Sequence, residues 1–420
     1  MQTVTEMALP LVPLLDPAMS ADPLPFIAAA RKQHPWLAKT DTGHIFVHQY
    51  EAIKDLAYMD DKFRPSMMEI SEFMGGKGGP AAEFFDNTML ARQPPVHTRL
   101  RNSVAAYFTP RNINRYRSLM REVISDLLDQ WAPKGAFDFA EFAAYFPIRV
   151  MFGVMGTSPD AIPRIRKWLE TQGMIANLQR DMLPDLNNAI ENLWTFVDGV
   201  IAERRKNRTG DEEDLLNTLI AANDSGQLND EELHIMLIFL FGAAYDTSKN
   251  MLTFIMYAML KHLEHWARCA EDRPFCDKVT EETFRYHSVS SLYRTATEDV
   301  VYRDILFPKG TQLFMPLQLA SRDPAAFPDA DAFQPSRPDS NRHFAFGRGI
   351  HMCLGQHLAR AQLQEGVHLI AQRLRNPRLA GEITWRPFPG VWGLRTLPIK
   401  FEPAARRPEP DVSVGKSAAE

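Results

Sequence analysis

Cys353 is the residue whose surroundings most suggest chemistry, because it follows two closely spaced glycines and precedes an apolar run. Gly347 and Gly349 can adopt positive φ angles and let the backbone approach a ligand closely. The apolar run predicts a helix beginning at the cysteine, whose positive end would lower the pKa of the thiol and favour a thiolate metal ligand. Taken alone, a single cysteine is more often a buried and inert thiol.

The wider stretch, residues 346–355, reads FGRGIHMCLG and resembles the haem-binding signature of the cytochrome P450 family. Every fixed place of that signature is matched, and residues 358–360 (LAR) continue it as in bacterial members. The resemblance implies haem b (iron protoporphyrin IX) as the cofactor and Cys353 as the axial ligand of its iron. A thiolate there pushes electron density onto the iron and favours cleavage of the O–O bond. The resemblance also places Phe346, His351 and Gly355 against the haem, with His351 on a propionate.

A long helix is predicted to cross the core before this cysteine. Asn229 and Glu232 resemble a capping box at its start, and the helical pattern continues to about residue 262. Apolar residues occupy all sides of the helix over 235–241, as in a helix surrounded by protein. The small residues at 242–244 then leave room for a ligand against the backbone.

Asp246 and Thr247 follow directly in the same predicted helix. A carboxylate and a hydroxyl deep in an apolar helix are costly unless they have partners or a use. In register with Cys353 the pair resembles the oxygen-activation motif of the family, although Ala244 stands where glycine is usual. The resemblance implies that Asp246 and Thr247 are catalytic and relay protons to dioxygen on the iron.

Two basic residues, His97 and Arg101, are four apart and share one face of a predicted helix. Such a face can hold anionic groups, because Arg forms strong bonds to carboxylates. On its own the pair would be a solvated basic surface. The family resemblance places both residues on haem propionates and adds Arg294, which matches a strand arginine with the same role.

Glu282 and Arg285 form an acid–base pair on one helical face, which at this spacing is usually a weak surface ion pair. In this context they resemble the Glu-X-X-Arg motif of the family. Arg337 stands where the third member of that buried cluster is found. The resemblance therefore implies a structural polar network behind the haem.

Apolar segments around the predicted haem supply the candidate substrate pocket. By resemblance, residues 66–92 form a flexible loop over the distal face of the haem, and residues 173–188 form a mobile lid. The alternative is that their side chains only pack beneath these segments. The candidates are Phe73, Met74, Phe84, Phe85, Met89, Leu90, Met174, Ile175, Leu178, Phe239, Gly242, Ala243, Leu292, Val391 and Trp392. Aromatic and sulfur-rich walls fit a terpenoid, steroid, fatty acyl or aromatic compound without discriminating among them.

The periodicity and the resemblance predict a mainly α-helical fold with a small β region, the cytochrome P450 fold. Residues 1–405 are predicted to be a single catalytic domain, and 406–420 a disordered, Pro-rich tail. Helices are predicted near 21–34, 115–131, 142–155, 162–175 and 186–205, and a strand at 43–47. The longest apolar run, 235–245, is too short to cross a bilayer.

Composition excludes several classes of protein. The net charge of −5 is small and mixed along the chain, so no nucleic-acid partner is indicated. Three cysteines without a regular framework argue against a disulfide scaffold and for a reducing compartment. No signal peptide is recognised, so we expect a cytoplasmic protein. We also expect the protein to be a monomer.

The predicted activity is that of a haem-thiolate monooxygenase, which inserts one atom of dioxygen into an apolar organic substrate. No dinucleotide fingerprint is present, so electrons are expected from a separate ferredoxin and ferredoxin reductase. A basic face for their docking would comprise Arg111, Arg115, Arg342, Arg348 and Arg360, although such charges more often only keep a surface solvated.

Three alternatives stay open. Peroxide-driven relatives would be expected to lack the pair Asp246-Thr247. A non-catalytic haem sensor or carrier would need no proton relay. A zinc protein would use histidines and the cysteine as ligands, namely His343, His351, Cys353 and His357, but it leaves the long central helix unexplained.

Overall fold

Helices make up most of the fold in the computed structural model, which describes residues 2–207 and 213–406. The helices are α1 Pro17–Ala21, α2 Leu24–Gln33, α3 Tyr50–Ala57, α4 Met67–Phe73, α5 Pro80–Asn87, α6 Val96–Asn102, α7 Pro110–Asn114, α8 Arg117–Trp131, α9 Phe139–Met155, α10 Ile162–Gln172, α11 Leu183–Asn207, α12 Leu215–Asp224, α13 Asp230–Met259, α14 Leu263–Glu271, α15 Arg273–Tyr286, α16 Leu317–Ala320 and α17 Gln356–Arg373. The strands are β1 Gln2–Thr3, β2 Leu11–Val12, β3 Leu37–Thr40, β4 Ile45–Val47, β5 Phe63–Pro65, β6 Ala136–Asp138, β7 Ser291–Ala296, β8 Val300–Tyr302, β9 Ile305–Phe307, β10 Gln312–Pro316, β11 Leu374–Leu379, β12 Thr384–Trp385, β13 Leu394–Thr396 and β14 Pro398–Pro403. The predicted class, mainly α with a small β region, is confirmed.

Helix α13 crosses the middle of the core. The predicted capping box is confirmed: the Asn229 side chain accepts the N–H of Glu232, and the Glu232 carboxylate accepts the N–H of Asn229. Most of the α13 side chains are buried, because the helix packs against α9, α10, α11, α15 and α17. Helix α9 is likewise apolar on nearly all sides. Burial on every side explains why the first half of α13 after its cap is apolar all round, and the polar residues that follow, Asp246, Ser248, Lys249 and Asn250, are themselves buried.

The largest sheet has the strand order β2-β3-β4-β10-β7-β5 and lies beside the helical core. Its strand β7 pairs antiparallel with β10 on one side and with β5 on the other. Arg294 lies in the middle of this strand, opposite Leu313 and Pro65. Because β7 is paired with a strand on each side, hydrogen bonds on both sides fix the backbone at Arg294.

Helix α15 carries a polar cluster that is fully enclosed. Arg285 donates to both oxygens of Glu282, at 2.7 and 2.8 Å, and to the carbonyl oxygens of Ser321, Ala330 and Ala332. Glu282 also accepts the Gln334 N–H at 2.8 Å and Arg337 Nε at 3.3 Å. The cluster therefore joins α15 to the segment that leads into the Cys353 loop, and every guanidinium N–H of Arg285 has a partner.

Several predicted boundaries were wrong. The segment 66–92 contains helices α4 and α5 instead of an irregular loop, because Pro80 starts α5 and residues such as Ile70, Phe84 and Phe85 face the core. The helix predicted to begin at Cys353 begins at Gln356. The first predicted helix, 21–34, corresponds to α2, which begins three residues later, and the short helix α1 before it was not predicted. The proposed disordered tail lies, from residue 407 onward, outside the described residues.

None of the helices within residues 2–207 and 213–406 combines the length and the apolar character needed to cross a membrane.

Candidate active site

The loop before α17 presents Cys353 to the interior of the protein. The Cys353 N–H donates to the Phe346 carbonyl at 2.8 Å, which closes the loop on itself. Gly347 and Gly349 have φ angles of +69° and +74°. A Cβ on Gly349 would overlap the Asp60 carboxylate, which accepts the Ile350 N–H at 2.8 Å. Glycine is therefore required at position 349 both by the backbone angle and by the close approach of Asp60.

The environment of the Cys353 sulfur differs from the expected one. Burial raises the pKa of the thiol, and the Gly355 N–H, Arg101 and Arg360 act in the opposite direction without overcoming it. The helix start is three residues further along than predicted, so its positive end is less effective. A bound metal deprotonates a coordinating thiol outright, so the thiolate form would come from coordination rather than from the protein alone.

A cavity of ≈ 300 Å³ separates the Cys353 loop from the middle of α13. Cys353 and Phe346 of the loop border it, and so do Ala243, Ala244 and Thr247 of α13. The small side chains of the two alanines bring the α13 backbone close to the cavity. A mostly apolar space between a sulfur ligand and a hydroxyl suits a flat cofactor with an apolar substrate above it.

Three basic side chains, those of His97, Arg101 and His351, border this space, and Arg294 lies close enough to His351 to lower its pKa. Arg101 Nη2 donates to the Met352 carbonyl at 2.8 Å, and the rings of His97 and His351 are 4.4 Å apart. Arg294 donates through Nη1 to the Tyr293 carbonyl, but its buried Nη2 and the buried Nε2 of His351 have no partner among the described residues. Buried polar groups are normally satisfied, so these atoms mark the place of an anionic group.

Burial lowers the pKa values of Arg294 and His351, and repulsion from neighbouring basic groups adds to the effect on His351. Burial lowers the pKa of Arg294 to about 10, although Asp60 acts to raise it. Burial, reinforced by Arg294, His97 and Arg101, lowers the pKa of His351 to about 3. An incoming carboxylate would relieve this repulsion, so the arrangement fits the two propionates of a haem.

Thr247 and Asp246 point to different sides of α13. Thr247 borders the cavity, and its hydroxyl donates to the Ala243 carbonyl at 2.8 Å. Asp246 is 1% exposed and forms a buried ion pair with Arg386, which is 3% exposed. Asn250 Nδ2 donates to the Asp246 carbonyl at 2.8 Å. The carboxylate lies against Gly173, at the end of α10, where a Cβ would overlap it.

Arg386 is a site residue that sequence reasoning missed. No motif marks it, and it follows β12 far from α13 in the chain. The only signal was a single arginine among aromatic and proline residues in the segment 384–392 (TWRPFPGVW). An arginine in such a setting needs a buried anion, but the sequence does not say which one.

The candidate pocket residues fall into two groups. Those bordering the cavity are Met89, Leu90, Phe239, Ala243 and Leu292. Those placed elsewhere are Phe73, Met74, Phe84, Phe85, Met174, Ile175, Leu178, Gly242, Val391 and Trp392. Gly242 faces the Gln172 amide, and Trp392 donates to the Ser20 carbonyl while packing on Phe388. Cavity residues that sequence reasoning missed include Phe108, Met151, Leu240, Met251 and Val289.

The arginines of the expected docking face are largely engaged. Arg360 pairs with Glu281 at 2.7 Å and Arg115 with Glu213 at 3.0 Å. Arg342 lies 3.9 Å from Asp339, and Arg348 donates to the carbonyls of Gly347 and His343. Arg111 is exposed.

The proposed zinc ligands do not converge. His343 Nε2 lies 3.0 Å from a Glu281 oxygen, and His357 and His351 do not join it in any cluster of ligand atoms within the described ranges.

Glu281 should make the protein sensitive to acid. Burial acts to raise the pKa of Glu281, but hydrogen bonds from His343 and Arg360 outweigh it and hold the pKa at about 2. A depressed carboxyl pKa stabilises the fold fully above its unfolded value of about 4.5 and loses that effect as the pH falls toward 2. We expect Glu281→Gln to lower the melting temperature at pH 6, with the difference from the unsubstituted protein shrinking below pH 4.5. Thermal melts over this pH range measure it, and Glu122→Gln, on an exposed position of α8, serves as the control. A difference independent of pH would contradict the prediction.

Comparison with known proteins identifies the architecture around this cavity. The family model described as Cytochrome P450 matches residues 41–376. Luteothin monooxygenase of Streptomyces thioluteus is 31% identical over 400 residues, which cover 94% of this chain and 96% of that protein. Cytochrome P450 monooxygenase PikC of Streptomyces venezuelae is 32% identical over 329 residues, covering 75% and 76%. Ligand-free CYP164A2 of Mycobacterium smegmatis superposes with a TM-score of 0.79 at 28% identity, covering 92% of this chain and 98% of that one. Because the family model matches most of the chain and a relative of 31% identity covers 94% of it, the chain belongs to the cytochrome P450 family.

Proposed function

We propose that this monooxygenase inserts one atom of dioxygen into an apolar small organic substrate, reduces the other atom to water, and takes its electrons from a separate ferredoxin with its reductase. Membership of the family establishes the class of enzyme and the haem cofactor. The observation that carries the finer proposal is the mostly apolar cavity between Cys353 and Thr247. It would supply both a substrate space and, in Thr247, a hydroxyl that could pass a proton to dioxygen.

The residues of the cavity fit the haem. Cys353 would supply the axial sulfur, and Phe346 and Gly355 border the same space. Arg101, Arg294, His97 and His351 would hold the propionates with the donors that are otherwise unsatisfied. Bound there, the haem supplies the iron centre at which dioxygen is reduced.

Proton supply falls to the two neighbouring residues of α13. We infer that the Thr247 hydroxyl, on the cavity wall, holds the last proton before the reacting oxygen. Asp246 is buried on the side of α13 that faces away from the cavity, where Arg386 and Asn250 bind its carboxylate. Glu170 and Lys249 form an ion pair of 2.7 Å beside this group, and the Glu170 side chain is 33% exposed. These residues would connect the buried Asp246 to solvent without opening the apolar cavity.

The cavity wall supports an apolar substrate. Phe239, Leu240, Met89 and Met151 present aromatic, aliphatic and thioether surface, which favours a terpenoid, steroid, fatty acyl or aromatic compound. One relative is named luteothin monooxygenase, and for this chain we propose an apolar natural product or fatty acyl compound as the substrate. We also propose a cytoplasmic location, where free thiols and a reduced ferredoxin persist.

Arg294 gives a direct test of the proposed propionate-binding residues, His97, Arg101, Arg294 and His351. Replacing Arg294 with leucine removes a buried cation from the propionate site, where a charge-assisted bond contributes about 1.5–3 kcal/mol. We therefore expect haem retention to fall by about tenfold or more. The rate of haem transfer to excess apomyoglobin measures this, with Arg111→Leu as an exposed control. Unchanged haem release would show that Arg294 does not hold a propionate.

The proposed function is tested by comparing two oxidant supplies. With ferredoxin, its reductase and reduced nicotinamide nucleotide, we expect product from an apolar substrate that shifts the haem spectrum on binding. Thr247→Ala should keep oxygen consumption but divert most electrons away from product. A peroxide-driven enzyme would instead turn over without ferredoxin and retain its full rate in Thr247→Ala. That result would overturn the proposal in favour of a peroxygenase, and binding without turnover from either supply would favour a haem carrier.

A further inference from the structure

A second group of metal-ligating side chains lies at the junction of α13 and α14. His262 precedes α14 directly, and Glu264 and His265 lie in its first turn. In the ranges 2–207 and 213–406, this is the one place where three His, Cys, Asp or Glu side chains bring ligand atoms within 4.8 Å of one another. None of the three borders the Cys353 cavity.

The distances among these atoms suit a small metal ion. A Glu264 oxygen lies 3.6 Å from His262 Nδ1 and 3.7 Å from His265 Nε2. Ligands at about 2.0–2.1 Å from a tetrahedral Zn²⁺ lie about 3.4 Å apart. The two histidine nitrogens also lie within 4.8 Å of each other, so side-chain rotations would be needed to bring the three atoms to the corners of a tetrahedron. Distances of 3.6–3.7 Å are also too long for good hydrogen bonds, so the Glu264 carboxylate does not bind either imidazole strongly.

The surroundings orient the two rings. Phe333 stacks on His262 with ring centroids 5.3 Å apart, and His265 packs on Phe275 at 5.6 Å. Burial lowers the pKa of His265, which keeps this imidazole in the neutral form that binds metals. The nearby Arg268 is paired with Asp272 at 3.0 Å, which reduces its repulsion of a bound cation.

We propose that His262, Glu264 and His265 form a binding site for a divalent transition metal ion, with Zn²⁺ the ion whose geometry fits best. Two imidazoles and one carboxylate supply three positions, and solvent supplies the fourth. Because Phe333 leads to Gln334, whose N–H binds Glu282, a metal here would stabilise the end of α13 against the segment behind the haem. It would leave substrate binding unchanged.

Calorimetric titration of the tag-free, chelator-treated haem protein with ZnCl₂ tests the site. We expect one Zn²⁺ per chain at micromolar concentration or below, and an increase in melting temperature. His265→Ala and Glu264→Gln should each weaken binding by about tenfold or more, as expected for loss of a metal ligand. His234→Ala is the matched control, because His234 also contacts a carboxylate, that of Asp198, but has no second histidine beside it.

Two calorimetric results would contradict the proposed metal site. Unchanged affinity and stoichiometry in both variants would overturn the proposal, as would no binding below millimolar Zn²⁺. If a variant loses its haem or its circular dichroism, crystals of the unsubstituted protein soaked in ZnCl₂ decide the matter. An anomalous peak among the three side chains supports the site, and a peak elsewhere or none rejects it.

Discussion

Replacing Arg285 with methionine is expected to lower the free energy of unfolding by about 3–5 kcal/mol, because it leaves a buried carboxylate without its cation. Glu282 is fully buried and would keep only the Gln334 N–H and Arg337. The carbonyl oxygens of Ser321 and Ala330 would also lose this donor, and that of Ala332 would keep only a longer bond from Arg337. Urea denaturation of the haem-loaded protein, followed by circular dichroism, measures the loss.

The matched control is Arg268→Met, which removes an arginine from a surface pair with Asp272. Arg268 is 53% exposed in that pair, and exposed pairs contribute about 0–1 kcal/mol. A loss of stability below 1 kcal/mol in Arg285→Met would show that the buried cluster does not support the fold as described.

Asp246→Asn is expected to reduce the rate of product formation by about 10²-fold or more, the usual contribution of a positioned acid or base. The amide keeps the shape of the side chain but cannot deliver protons, and it cannot form the ion pair with Arg386. Substrate binding and reduction of the haem should change little, because Asp246 does not border the cavity.

Single-turnover measurements separate these steps. We expect normal reduction and oxygen binding in Asp246→Asn, slow product formation and a larger solvent deuterium isotope effect. Asp126→Asn, an exposed carboxylate on α8, should behave as the unsubstituted protein. An unchanged rate in Asp246→Asn would remove this residue from the proton path and leave Thr247 alone in it.

Local patterns in the sequence carried much of the information about the fold. The capping box of α13 depends on residues three apart, and the predicted class of fold follows from helical periodicity together with the family motifs. The candidate haem-binding stretch could be recognised from the sequence because its glycines and its cysteine lie within ten residues of one another. Such features need no knowledge of distant parts of the chain.

Contacts between distant segments could not be predicted in the same way. Arg386 is 140 residues from Asp246, and Asp60 is 290 residues from the loop amide that it holds. Helices α4 and α5 were missed because each spans only two turns, so tertiary packing outweighs local periodicity. The cavity wall likewise combines α9, α13 and β7, so its full membership depends on how these elements pack.

Coordination of haem iron by the Cys353 sulfur is the claim on which the account depends, and the absorption spectrum of the reduced protein with carbon monoxide tests it most directly. We expect the red-shifted band that distinguishes thiolate coordination, and its loss in Cys353→Ser. A band typical of histidine-bound haem, or a protein that takes up no porphyrin when it is supplied, would contradict the assignment.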